Sequence, residues 1–176
     1  MSRPRFNLAN LDMRAADEFF ENIAAAGFDR SVLIHNAAEL MIAPVSATAN
    51  DVQRLISVNM TSAIQLTSLF LKHLPHGEIA LISSAAARVG ITHWSVYCAA
   101  KAGMEGYLRA LKAEGVTTHL IVPDVIDTDM QKTIRETEWP DAARFADYHV
   151  AGRLRSPADV AATVLKKLDP VSAPTG

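Results

Sequence analysis

Three short apolar runs set the strongest limit on how this chain can fold. They are Val32-Leu33-Ile34, the segment 78–83 (EIALIS) and the segment 116–122 (VTTHLIV). Each run is too short for a helix, and uninterrupted apolar runs of this length are typical of strands covered on both faces. Longer segments with helical spacing separate them, so right-handed strand–helix–strand crossovers are expected. The sequence therefore predicts an α/β fold with a parallel sheet and helices on both faces.

Helices are predicted before, between and after these strands, from apolar spacing and from capping residues at the ends. In chain order, the other predicted elements are a short strand at 5–11, a helix capped by Asp12 and closed by Gly27, helices at 50–74 and 95–115, a short helix around 130–137 in an otherwise irregular segment 124–148, and a last helix opened by Ser156-Pro157. The tail 169–176 is expected to be frayed.

Composition narrows the possible functions. The 176 residues are 49% hydrophobic, which predicts one domain over 1–176. The net charge is −2 and the charges are scattered, so neither nucleic acid nor a membrane surface is an expected partner. The single cysteine, Cys98, has no partner for an internal disulfide and belongs to no metal-ligand pattern. No secretory signal or membrane-spanning run is apparent, so we expect a soluble cytoplasmic protein without a metal site.

Polar residues follow the predicted strands, where an open parallel sheet binds its ligands. These positions hold Asn36-Ala37-Ala38, Ser84 and Pro123-Asp124. Tyr97 and Lys101 are four residues apart in a predicted helix and so share one face. An ammonium close to a phenol favours the phenolate, which would lower a pKa that is about 10 in water. Tyr97 is therefore predicted to be a proton donor or acceptor at a carbonyl or carbinol.

Two further side chains complete this prediction. Ser84 would hydrogen-bond the same substrate oxygen, and Asn59, a polar residue on an apolar helix face, could hold a water linked to Lys101. Simpler interpretations stay open: Tyr97 and Lys101 could be a surface pair, Ser84 a capping residue, and Asn59 a group that satisfies neighbouring backbone. His93-Trp94 could line a substrate pocket or only pack.

These motifs resemble those of the short-chain dehydrogenase/reductase family. The resemblance is carried by Asn36-Ala37-Ala38 for the family's Asn-Ala-Gly turn, Asn59 for its helix asparagine, Ser84 for its strand-end serine, Tyr97 to Lys101 for its Tyr-x-x-x-Lys signature, and Pro123 to Met130 for its Pro-Gly-x-x-x-Thr segment. It implies NAD or NADP as hydride carrier, a small carbonyl or alcohol substrate, Tyr97 as acid/base, Lys101 on the nicotinamide ribose, Ser84 orienting the substrate and Asn59 in a proton relay.

The resemblance also implies which residues line the cofactor site and how copies of the chain associate. Besides Tyr97 and Lys101, the implied cofactor-binding residues are Asn36, Ala37 and Ala38 in the cleft, Asn10 and Leu11 at the adenine, and Pro123 and Thr128 at the nicotinamide amide or pyrophosphate. Helices 50–74 and 95–115 would form a homodimer interface.

Two features depart from the family pattern. The sequence contains no Thr-Gly-x-x-x-Gly-x-Gly turn, so the predicted fold is a partial Rossmann-type doubly wound parallel sheet without the first two strands and the last. The edge of a central strand would then be exposed, and dinucleotide affinity would fall. Ala38 and Asp124 replace glycines, where a side chain could strain the turn or crowd the cofactor. A catalytically inactive remnant that acts as an interaction or dimerisation module is therefore the alternative.

Overall fold

The computed structural model of the chain describes residues 5–44, 46 and 49–169. Its helices and strands are, in order, α1 (Met13–Ala25), β1 (Val32–His35), α2 (Ala49–Ile56), α3 (Ser62–His73), β2 (Glu78–Ile82), α4 (Ser95–Ala113), β3 (Thr118–Ile121), α5 (Asp129–Glu136), α6 (Ala142–Val150) and α7 (Pro157–Leu168). The chain divides into two compact units, with the boundary between Leu120 and Ile121. The prediction of a single domain stays a prediction.

The sheet has the strand order β1-β2-β3. β1 and β2 run parallel, with Val32 opposite Glu78 and His35 opposite Leu81. The predicted α/β class with a partial Rossmann-type parallel sheet is confirmed. β1 lies at the edge of this sheet, and its residue Ile34 is 38% exposed. The exposure of this edge of the sheet stays a prediction.

One face of the sheet carries the main core of the first unit. Ile79 and Leu81 alternate along β2 and pack with side chains of α1, α3 and α4, namely Phe20, Ala63, Phe70, Met104, Leu108 and Leu111. The predicted cap of α1 is confirmed, because the Asp12 side chain accepts a hydrogen bond from the Ala15 amide. Gly27 follows this helix with φ +66°, a conformation that glycine adopts without steric cost.

The predicted strand at residues 5–11 is wrong. This segment forms turns: the Asn10 amide donates to the Asn7 carbonyl, and the Ala9 amide donates to the Asn7 side chain. Asparagine competes with strand ladders by offering such local partners. The segment therefore satisfies its backbone locally instead of pairing with a strand.

The predicted long helix at 50–74 is present with an interruption. A π-helical turn, Ser57–Thr61, lies between α2 and α3, and the Ser62 amide bonds to the Ser57 carbonyl. π-helical turns occur mostly as single insertions in α-helices, frequently at functional sites. Asn59 lies in this turn and is 5% exposed. The predicted loop after Ala38 includes Val45, Ala47 and Thr48, which lie outside the described residues.

The second unit contains α5, α6 and α7. α5 and α7 match the predicted helices, and Ser156 caps α7 by accepting a hydrogen bond from the Asp159 amide. The prediction of an otherwise irregular segment up to 148 is wrong, because α6 forms there. Phe145 of α6 is buried, with its ring 5.3 Å from that of Trp139, so an aromatic contact anchors this helix. Residues 170–176 of the predicted tail lie outside the described residues.

Candidate active site

Helix α4 places Tyr97 and Lys101 together at the carboxyl end of β2. Tyr97 is 7% exposed and Lys101 is 5% exposed, so this is no surface pair. The Lys101 ammonium donates to the Ile82 carbonyl at 3.0 Å, and its Nζ lies 5.6 Å from the centre of the Tyr97 ring. The four-residue spacing has the predicted effect, since both side chains lie on one face of the helix.

Ser84 lies next to Tyr97 and follows the end of β2. Its hydroxyl caps the 3₁₀ turn Ala85–Ala87, because it accepts from the Ala86 amide at 3.2 Å, and it is close enough to Tyr97 to act on the tyrosine pKa. The capping interpretation is thus confirmed, and the contact of Ser84 with a substrate oxygen stays a prediction. Trp94 packs edge-on against the Tyr97 ring, with centroids 5.9 Å apart, so the tyrosine ring is held from a second side.

The pKa values of the two α4 residues follow from burial. Burial raises the pKa of Tyr97, and the hydrogen bond with Ser84 only partly offsets this. Burial also lowers the pKa of Lys101, to about 8. The predicted lowering of the tyrosine pKa is therefore wrong, because the loss of hydration on burial outweighs the lowering by Ser84.

Asn59 fastens the loop that follows the Asn36-Ala37-Ala38 turn. Its side-chain oxygen accepts from the Glu39 amide and its side-chain nitrogen donates to the Glu39 carbonyl, both at 2.7 Å. The Arg54 guanidinium pairs with the Glu39 carboxylate. The interpretation that Asn59 satisfies neighbouring backbone is therefore confirmed for its side chain, and its part in a proton relay stays a prediction.

A cavity of about 100 Å³ opens at the carboxyl end of β1. Its lining combines apolar side chains of β1, α3 and α4 with polar groups, and includes Leu8, His35, Asn36, Ala37, Asn59, Ser62, Leu66, Lys101 and Met104. The structure thus brings the predicted residues Asn36, Ala37, Asn59 and Lys101 to one space. Ala38 does not have a positive φ, so the expected backbone strain at this position is absent.

Sequence reasoning missed His35, the residue before Asn36. Its Nε2 lies 2.7 Å from the Thr67 hydroxyl, which itself donates to the Ala63 carbonyl at 2.9 Å. The Thr67 hydroxyl hydrogen is thereby used, so His35 donates from Nε2. Burial and, secondly, the charge of Lys101 lower the pKa of His35 to about 4. A histidine at the end of an apolar strand was the available signal.

The other predicted cofactor residues lie elsewhere. Asn10 is exposed, and Leu8 of the same segment lines the cavity. Pro123 and Thr128 belong to the second unit, where Thr128 caps α5 by accepting from the Gln131 amide. Asp124 is largely exposed, with a carboxylate oxygen 3.9 Å from the Arg155 guanidinium. The cofactor roles of Asn10, Leu11, Pro123 and Thr128 stay predictions.

In the part of the chain that the structure describes, no group of three or more His, Cys, Asp or Glu side chains could hold a metal ion. None of the helices described is long and apolar enough to cross a membrane.

Comparison with known proteins agrees with the motifs and the fold. The family model for short chain dehydrogenases matches residues 5–139. Benzil reductase ((S)-benzoin forming) of Bacillus subtilis is 30% identical over 189 aligned residues, which cover 96% of this chain and 76% of the relative. The solved KRED1-Pglu enzyme has a TM-score of 0.76 at 29% identity and covers 86% of this chain and 67% of its own.

A Beutenbergia cavernae protein, solved with NADP bound at low occupancy, has a TM-score of 0.71 at 26% identity. The match covers 88% of this chain and 64% of that protein. This chain therefore spans only part of the length of the proteins it matches. From its fold, its motifs and the family model, the chain belongs to the short-chain dehydrogenase family.

Proposed function

We propose that this chain interconverts a small carbonyl compound and its alcohol with NAD or NADP, using Tyr97 as acid and base. One observation carries the proposal: at the end of β2, α4 places the buried Tyr97 side chain beside Ser84 and the Lys101 ammonium 5.6 Å from the centre of the Tyr97 ring. A carbonyl oxygen at this point would meet two hydroxyl donors. The activity named for the benzil reductase relative is of the same kind.

The cavity residues fit the nicotinamide-ribose half of such a cofactor. The Lys101 ammonium carries three N–H donors and donates one of them to the Ile82 carbonyl. Its other N–H donors suit ribose hydroxyls. Asn36 and Ala37 line the same cavity from the end of β1. A reduced nicotinamide, when bound, supplies the hydride for the carbonyl carbon. The NADP found with the Beutenbergia cavernae protein supports this class of cofactor.

The proton steps follow from the pKa directions. Because burial raises the pKa of Tyr97, its phenol is protonated at neutral pH and can donate a proton to the carbonyl oxygen as the alcohol forms. Ser84 hydrogen-bonds the same oxygen and keeps it in line with Tyr97. Lys101, with a pKa of about 8, can return a proton to the tyrosinate. The protonated Tyr97 phenol thus suits the proton step of carbonyl reduction.

The experiment is a cofactor titration followed by turnover. NADH and NADPH are titrated separately against the fluorescence of Trp94, which packs on Tyr97, and oxidation of the reduced cofactor is then followed with benzil as the first substrate. Tyr97→Phe is expected to lower kcat on the order of 100-fold or more while cofactor affinity changes little. Tyr107→Phe is the matched control, because Tyr107 is the other tyrosine of α4. Turnover that survives in Tyr97→Phe would contradict the proposal.

A second candidate, an inactive module that binds another protein or a second copy through the exposed sheet edge or through α2–α3 and α4, has one observation in its favour, which concerns the sheet edge. β1 is an edge strand with Ile34 on its surface, and such edges pair readily with other chains. The two candidates give different results in the same titration. Absence of NADH and NADPH binding at millimolar concentration, together with a stable oligomer in light scattering, would favour the module.

A further inference from the structure

Helix α4 buries a third ionisable side chain on the face that carries Tyr97 and Lys101. Glu105 follows Lys101 by four residues and is 5% exposed. Its carboxylate accepts from the Ser83 hydroxyl at 2.7 Å, from Arg88 Nε at 3.2 Å and from Arg88 Nη2 at 3.5 Å. A carboxylate buried this deeply is costly unless its oxygens are hydrogen-bonded, and here both oxygens have partners.

The partners of the three α4 side chains are consecutive residues at the end of β2. Lys101 binds the Ile82 carbonyl, Glu105 binds the Ser83 hydroxyl, and Tyr97 lies beside Ser84. Side chains on one face of α4 therefore contact three consecutive residues at the end of β2. Ser84 is the last of the three and the one predicted to contact the substrate.

Arg88 supplies a second attachment, on the far side of Ser84. The 3₁₀ turn Ala85–Ala87 begins directly after Ser84, and Arg88 is its C-terminal cap. Glu105 thus binds the residue before Ser84 and the residue that ends the turn after it. The Arg88 side chain is half-exposed, whereas the Glu105 carboxylate is buried, so the helix provides the fixed point of this ion pair.

We infer that Glu105 is a positioning residue, which holds the segment 83–88 so that the Ser84 hydroxyl stays on the Tyr97 hydroxyl. The inference rests on the proposed function, in which these two hydroxyls meet the carbonyl oxygen. A purely structural role would be served as well by an apolar side chain of similar volume. A positioning role needs acceptors aimed at both Ser83 and Arg88.

The test uses Glu105→Gln, Ser84→Ala and the double variant. Glutamine keeps an acceptor for Ser83 and loses the charge that holds Arg88. Glu105→Gln is expected to lower kcat on the order of 10-fold, as small misplacements of reacting groups do, with KM changed little. If Glu105 acts through Ser84, the double variant loses no more kcat than Ser84→Ala alone. Glu114→Gln, at the exposed end of α4, is the matched control.

A second measurement does not depend on turnover. The carbon-13 resonance of the Tyr97 Cζ atom, assigned with Tyr97→Phe, reports the hydrogen bond to Ser84 at neutral pH. Glu105→Gln is expected to move it in the same direction as Ser84→Ala, with no further movement in the double variant. If Glu105→Gln does not fold, Ser83→Ala removes one attachment with a smaller change and is expected to shift the resonance in the same direction.

The outcomes separate the two proposals. Multiplying losses of kcat in the double variant, or an unmoved Tyr97 resonance in Glu105→Gln while Ser84→Ala moves it, would overturn the positioning role. If no protein in the series turns over any carbonyl compound, the proposed function fails. The resonance still decides the role of Glu105 in that case.

Discussion

Lys101 lowers the stability of the protein at neutral pH, and replacing it with methionine tests this directly. Burial lowers its pKa from the ordinary 10.5 to about 8. At about 1.4 kcal/mol for each pKa unit, keeping the ammonium charged inside the protein costs about 3 kcal/mol at pH 7. Lys101→Met removes this cost but leaves the Ile82 carbonyl without its partner, which costs about 2 kcal/mol. The free energy of unfolding is therefore expected to rise by about 1 kcal/mol.

The dependence of the free energy of unfolding on pH gives a second test of this prediction. Between the folded pKa of about 8 and the unfolded value of 10.5, the unfolded state binds more protons, so wild-type stability rises with pH in this window. Lys101→Met lacks this rise. Its advantage over wild type is expected to shrink by about 2 kcal/mol between pH 7 and about pH 9.5, and to change sign.

The assay is urea denaturation of both proteins at the two pH values. Lys112→Met is the matched control, since Lys112 is exposed on the same helix, and its free energy of unfolding should stay within about 0.5 kcal/mol of wild type at both pH values. A difference between Lys101→Met and wild type that does not depend on pH would refute the burial argument. Under the proposed function, the more stable variant has lost its activity.

Three further changes probe other contacts. Because His35 is buried in its neutral form, the free energy of unfolding is expected to fall by about 2 kcal/mol as pH falls from 6.5 to about 4.5, where the unfolded state binds the extra proton. In denaturation measurements across this pH range, His35→Asn should remove most of this dependence on pH, whereas His149→Asn, at an exposed histidine, should not. Asn59→Ala leaves two backbone groups of Glu39 without partners and should cost about 2 to 4 kcal/mol, read by the same denaturation. Asp12→Ala removes the cap of α1 and should cost about 1 kcal/mol, visible as a lower Tm.

How much of this structure could be predicted depends on whether a pattern is local. The caps at Asp12 and Ser156 are local hydrogen bonds, and both were predictable from sequence. The π-helical turn at Ser57–Thr61 was not, because Asn59 bonds to the Glu39 backbone, twenty residues earlier in the chain. The strand predicted at 5–11 failed for a related reason, since a strand needs a partner that the sequence pattern alone does not identify.

The candidate site shows the same division. Tyr97 and Lys101 were predictable because helical spacing places them on one face, and continuing this period by one step reaches Glu105, which was missed although the signal was present. The pKa of Tyr97 was predicted in the wrong direction, because the sequence shows the nearby lysine but not the burial that raises the pKa.

The buried face of α4 is difficult to explain by stability. Tyr97, Lys101 and Glu105 are each less than a tenth exposed, and two of them carry opposite charges beside a strand end whose own residues supply their partners. Apolar side chains of similar volume, with Ser83 changed to match, would pack the same space without the cost of burying charge. Stability therefore does not favour these residues, whereas a fixed arrangement of the Ser84 and Tyr97 hydroxyls requires them. A more stable Lys101→Met protein and a displaced Tyr97 resonance in Glu105→Gln would therefore both follow from the same arrangement of buried polar side chains on α4.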